Sequence, residues 1–213
     1  MNWLFKEEPS NYSYDAFARD KKTVWSGVKN PVAQRNLRSV KKGDSVFYYH
    51  TGDEKSVVGI NPGQRSEAIG HHFAGYSNRF WPLLYESKLI PERIRAEDDD
   101  RLPEWGLGIT NLVPRMTPGI DTLRPQEYVD GAHVLRRKIR RFKPSIVALV
   151  GVTLFRSLFS RRGGAAVSLG LQTEELEGAR VFVLPNPSGR NANFSYAEML
   201  AAFRALRRAS RAR

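Results

Sequence analysis

The chain has 213 residues, 41% hydrophobic and 11% aromatic, which suits one well-packed domain with a small appendage and excludes a disordered chain. Its 34 Lys and Arg against 22 Asp and Glu leave a net charge of +12, which favours a polyanionic partner, nucleic acid ahead of an acidic membrane surface. There is no cysteine, which excludes disulfides and thiolate metal sites, and no apolar run approaches the roughly 18 residues of a membrane span.

In chain order, residues 1–54 form a basic segment with Trp3, Phe5, Tyr12, Tyr14, Phe17 and Trp25 interleaved among lysines, closing on the run DSVFYYH at 44–50. Such aromatics either stack on bases or form the core of a small β-rich module. The opening lacks the basic and apolar regions of a secretory signal, so a cytoplasmic, nucleoid-associated protein is expected.

From residue 55 to 213 the pattern becomes that of an open α/β sheet, with short aliphatic strands predicted at 56–60, 107–113, 145–150 and 180–184. Between the second and third of these, Tyr128, Val129, Ala132, Leu135, Ile139 and Phe142 recur at helical spacing as a buried stripe, with Arg136, Arg137, Lys138, Arg140 and Arg141 on the outside. A second helix is predicted at 195–211, with Tyr196, Met199, Leu200, Phe203 and Leu206 inward. The arginines near its end suit either DNA contact or the helix dipole.

Each predicted strand ends in something polar or glycine-rich: Asn61-Pro62-Gly63, Asn111, Gly151, and Asn186-Pro187-Ser188-Gly189. An Asn-Pro pair alone stops a strand and starts a turn. Ligands of open α/β sheets bind beyond the carboxyl ends of the strands, so this series converging on one edge marks a candidate site.

Five segments carry a family resemblance: VVGINPG (57–63), GHHFAGYSNRFW (70–81), GLGITNLVPR (106–115), SIVALVG (145–151) and VLPNPSG (183–189). In this order and approximate spacing, residues 57–194 resemble the mismatch-specific uracil/thymine-DNA glycosylases of the uracil-DNA glycosylase superfamily. The resemblance implies a three-layer α/β fold with a four-stranded parallel sheet. It also implies a DNA repair enzyme acting as a monomer on double-stranded DNA, without metal or other cofactor. Its substrate would be uracil mispaired with guanine, with thymine and other altered pyrimidines as further candidates.

By that resemblance Asn61 positions the attacking water, and Gly59, Ile60, Ser66, His72, Phe73 and Asn111 surround the flipped base. Phe73 would stack on it, backbone donors nearby would bind its edge, and His72 would tune the choice of pyrimidine. Asn186, Pro187, Ser188 and Gly189 would grip the DNA, with Arg190 meeting either the orphan base or a phosphate where many relatives carry a leucine wedge. Cleaving the glycosidic bond develops cationic character on the sugar and negative charge on the departing base. An asparagine orients water but takes no proton at neutral pH, so the enzyme is expected to be slow and to rely on poorly paired bases, which cost least to extrude. The matched motifs offer no catalytic lysine, which points to a monofunctional enzyme.

Residues 2–60 resemble the opening of an EVE domain, a PUA-like β-barrel whose relatives bind modified bases, through WLFKEEPSNYSYDAF (3–17), VWSGVKNPVAQRNLRSVKKGD (24–44) and VFYYHTG (46–52). The barrel is partial, and its VVGI strand runs straight into GINPG. The alternative function is a non-catalytic reader of modified DNA bases built on this segment.

Overall fold

The computed structural model describes residues 2–5, 19, 31–41, 45–48, 55–117, 119–159 and 167–211. The chain divides into two compact units, Met1–His50 and Thr51–Arg213.

In the first unit, β1 (Asn2–Phe5) and β2 (Ser45–Tyr48) pair in parallel, Asn2 opposite Ser45 and Phe5 opposite Tyr48. A helix, α1 (Pro31–Ser39), lies between them in sequence, starting on a proline whose fixed φ suits the first helical turn. Tyr12, Tyr14, Phe17 and Trp25 lie outside the described residues.

The second unit contains β3 (Lys55–Gly59), β4 (Leu107–Asn111), β5 (Ile146–Val150), β6 (Gly170–Leu176) and β7 (Ala179–Leu184). Their order in the sheet is β4-β3-β5-β7-β6. The four predicted strands are all present and parallel, but the sheet has five: β6 adds antiparallel to β7 at the edge. Glu177 (φ 55°) and Gly178 (φ 81°) make the tight β6–β7 turn, both left-handed as a two-residue hairpin with the twist of its strands requires.

Helices cover both faces, as the alternation along the strands dictates. Val57, Ala148, Val150, Phe182 and Leu184 face the side of α3 (Phe80–Glu86) and α6 (Tyr196–Arg211), packing with Phe80, Leu83, Met199 and Phe203. Their neighbours Val58, Val147, Leu149, Val181 and Val183 face α4 (Pro125–Phe142) and α5 (Val152–Phe159), against Leu135, Ile139, Leu154 and Phe155. Phe203 is fully buried, and truncating such a side chain to alanine typically costs about 3–5 kcal/mol.

The long helices carry their own start signals. Ser195 and Glu198 form a reciprocal capping box ahead of α6, the Ser195 amide donating to Glu198 Oε2 at 2.7 Å and the Glu198 amide to Ser195 Oγ at 3.3 Å. In α4, Pro125 occupies the first turn and Glu127 Oε2 accepts from the Arg124 amide at 2.8 Å. A short helix, α2 (Gln64–Ile69), follows β3 directly and begins the loop that walls the site.

Candidate active site

Strands β3, β4, β5 and β7 end at a common edge, and a cavity of about 700 Å³ opens there. One wall comes from β3 and its turn, Gly59 through Ser66; another is Asn111 from the end of β4. Phe73 and residues 75–78 of the α2–α3 loop form a third, and Asn186, Ser188 and Arg190 after β7 close the fourth. The structure thus gathers Gly59, Ile60, Asn61, Ser66, Phe73, Asn111, Asn186, Ser188 and Arg190 around one space. His72, Pro187 and Gly189 are not among the residues that line it.

Asn61 is held by three oxygens around its Nδ2: Thr117 Oγ1 at 2.7 Å, Pro62 O at 3.3 Å and Arg115 O at 3.4 Å. Two are carbonyls, which only accept. The third is an acceptor by circumstance, because the buried Thr117 hydroxyl gives its proton to Gly119 O at 2.7 Å. All three neighbours therefore demand the NH₂ end of the amide, which leaves Oδ1 as the free lone-pair end. Thr117, in the stretch MTPG at 116–119, was not singled out from the sequence.

Gly59 is required by the close approach of its neighbours. In register with Asn111 on β4, it would carry a Cβ only 2.6 Å from Asn111 Oδ1 and 3.4 Å from Phe73 Cζ. Glycine lets both side chains close over the strand end.

The Phe73 loop is pinned on both sides. Ser66 Oγ accepts from the Ala74 amide at 3.0 Å, and Asp99 Oδ2 accepts from the His72 amide at 2.8 Å. Of these three successive amides, only that of Phe73 has no acceptor among the described residues. Phe73 itself has φ 50°, a costly backbone for an aromatic residue, and its ring stacks on buried Phe80 with centroids 4.1 Å apart. Phe73 also lines the cavity.

Asp99 also bonds both imidazoles, His71 Nδ1 at 3.0 Å and His72 Nδ1 at 2.9 Å. Burial pushes its carboxyl up, but the bonds from the His72 ring, the His72 amide and the His71 ring outweigh this and hold it at about 2. An ionised carboxylate only accepts, so each Nδ1 carries its proton. The His72 ring is thereby engaged with Asp99, which lies in the 3-10 segment Ala96–Trp105.

The NPSG turn is braced by its own side chains and by the α2–α3 loop. Asn186 Oδ1 accepts from the Ser188 amide at 3.0 Å, and Asn191 Nδ2 donates to Asn186 O at 2.8 Å. Pro187 O accepts from the Arg79 amide at 2.9 Å. Gly189 sits so close to Ser77 that a Cβ would meet its Cβ, O and Oγ at 2.5–2.6 Å. Pro187 and Gly189 thus join the two halves of the site, while the Arg190 side chain stays exposed at the rim.

A three-layer α/β unit with an asparagine-lined cavity at its strand ends defines the class, and the uracil DNA glycosylase superfamily model matches residues 48–207: the chain belongs to that superfamily. The EVE domain model matches residues 1–62, so the two matches share the stretch that contains β3. Among curated proteins, the G/U mismatch-specific uracil DNA glycosylase of Schizosaccharomyces pombe is 37% identical over 146 residues, covering 65% of this chain and 45% of that protein. The chain therefore spans less than half the length of this relative.

Proposed function

We propose that this protein is a monofunctional DNA glycosylase that hydrolyses the N-glycosidic bond of uracil mispaired with guanine in duplex DNA. The observation that carries the reading is the enforced orientation of Asn61, whose Nδ2 is surrounded by three acceptors so that Oδ1 is left to accept a hydrogen from water. The name of the fission-yeast relative supports the choice of lesion.

In this reading the extruded base enters between Phe73, which offers a ring backed by Phe80, and the strand end at Gly59 and Ile60. The Phe73 amide donates to the pyrimidine edge and stabilises the anion that forms as the bond breaks. Asn61 Oδ1 aligns the water on the sugar carbon without taking its proton, so the rate depends on the leaving group. Uracil departs more readily than thymine, whose methyl group donates electrons to the ring, and thymine is the slower substrate. The NPSG turn holds the backbone of the opened strand.

Single-turnover excision from duplexes carrying G:U, G:T or A:U tests this. G:U is expected to be cut fastest, and Asn61→Ala to lose about 100-fold or more, the usual scale for losing alignment of a reactant. Purified protein that leaves G:U intact, or that cuts it equally well as Asn61→Ala, overturns the reading.

A further inference from the structure

The α2–α3 loop carries one side chain that the proposed chemistry does not use. Tyr76 is 91% exposed, and of the four large apolar side chains that stand open among the described residues, the others being Val129, Val134 and Leu171, only Tyr76 lines the cavity. It is nevertheless fixed. Arg65 of α2 lies over its ring, Cζ 4.0 Å from the centroid, and donates Nη1 to its hydroxyl at 2.7 Å. Arg65 is held in turn within 3.9 Å of Glu97.

A tyrosine with its hydroxyl bonded and one face beneath a guanidinium has its other face left for stacking. The adjoining rim, Ser188 and Arg190 of the turn packed against Ser77, carries no aromatic ring. Extruding a nucleotide strips its neighbours of a stacking partner, and an aromatic face replaces it on any sequence because every base has a π-face. We propose that Tyr76 stacks on a base of the duplex next to the extruded nucleotide, with Arg65 holding the ring in its pose. This rests on the glycosylase reading and adds to it the residue that fills the stacking gap.

The test measures affinity of the full chain for a duplex containing a tetrahydrofuran abasic analogue opposite guanine, and for the intact duplex of the same sequence. Tyr76→Ala is expected to weaken binding of the abasic duplex about tenfold, within the range found for losing a base-stacking aromatic, and to leave the intact duplex unaffected. Tyr76→Phe keeps the ring and stays within about twofold of wild type. A 2-aminopurine beside the abasic site is quenched by wild type and by Tyr76→Phe, and not by Tyr76→Ala. Equal affinity of Tyr76→Ala and wild type for the abasic duplex overturns the proposal, as does a Tyr76→Phe as weak as Tyr76→Ala, which would assign the effect to the hydroxyl. Wild type that excises uracil from G:U but does not prefer the abasic duplex overturns this proposal alone, whereas wild type that leaves G:U intact overturns the glycosylase reading and this proposal with it.

Discussion

Asn61 and Thr117, 56 positions apart in the chain, share a 2.7 Å hydrogen bond that decides which end of the asparagine amide faces the cavity. The direction is set one bond further on, where Thr117 donates to Gly119 O. Valine at 117 matches threonine in shape but supplies no oxygen, so the strongest contact holding the Nδ2 end is lost. Thr117→Val is expected to slow single-turnover excision of uracil about tenfold or more while leaving affinity for abasic DNA unchanged. Thr117→Ser keeps the hydroxyl and restores most of the rate. Equal loss in both variants would mean that packing at this buried position, and not amide orientation, controls the site.

Gly189 tests the join between the two halves of the cavity. A Cβ there meets Ser77 O, a backbone atom that cannot swing aside, so alanine must push the NPSG turn away from the α2–α3 loop. The strain is expected to cost about 1–3 kcal/mol, as overpacking does, and to weaken binding of abasic DNA together with thermal stability. A Gly189→Ala protein that melts and binds like wild type would show that the turn relaxes freely.

The parallel strands were legible from their branched aliphatic residues, most plainly in Ile146–Val150, where all five residues are buried, and least in β4, Leu-Gly-Ile-Thr-Asn, where only Leu107 is. The edge strand β6 was not, since Gly-Leu-Gln-Thr-Glu-Glu-Leu places polar side chains along its open side and only Leu176 is fully covered. Its one local signal was Glu177-Gly178, the turn that returns it to β7. Within the site, the Asn-Pro turns could be read because strand ends announce themselves in local sequence. Thr117 and Asp99 could not, because their partners are brought to them by the fold: a hydroxyl meeting an amide across 56 residues, and a carboxylate meeting two histidines 27 and 28 residues away.

Gly131 sets helix propensity against packing. It lies inside α4, where alanine would ordinarily gain up to about 1 kcal/mol, yet a Cβ would fall 2.4 Å from Leu112 O and 3.0 Å from Leu112 Cγ. Leu112 follows Asn111, so the clash is transmitted to the end of β4. Overpacking against backbone costs about 1–3 kcal/mol, and the steric term is expected to win. Gly131→Ala should therefore melt lower than wild type, by about 2–4 °C for each kcal/mol of net loss in a unit of this size. A higher melting temperature would show that helix α4 shifts outward without penalty.

Asp99 makes the Phe73 loop acid-sensitive. Its carboxyl lies at about 2 in the folded protein against an ordinary 3.8, because its hydrogen bonds from His72 and His71 outweigh the opposing effect of burial. A depressed carboxyl contributes stability that is fully present above the unfolded value and is lost as pH falls from about 4 through 2. Other carboxylates, Glu127, Glu177 and Glu198, are also lowered and add to the acid loss, so the comparison of interest is between wild type and Asp99→Asn. The variant is expected to melt below wild type at neutral pH, because an amide has one oxygen where the carboxylate used two. Its melting temperature should fall less steeply between pH 4 and 2, so that the two curves converge at the acid end. Thermal melts recorded across that window by circular dichroism decide it: parallel curves would mean that Asp99 does not hold the loop through its charge.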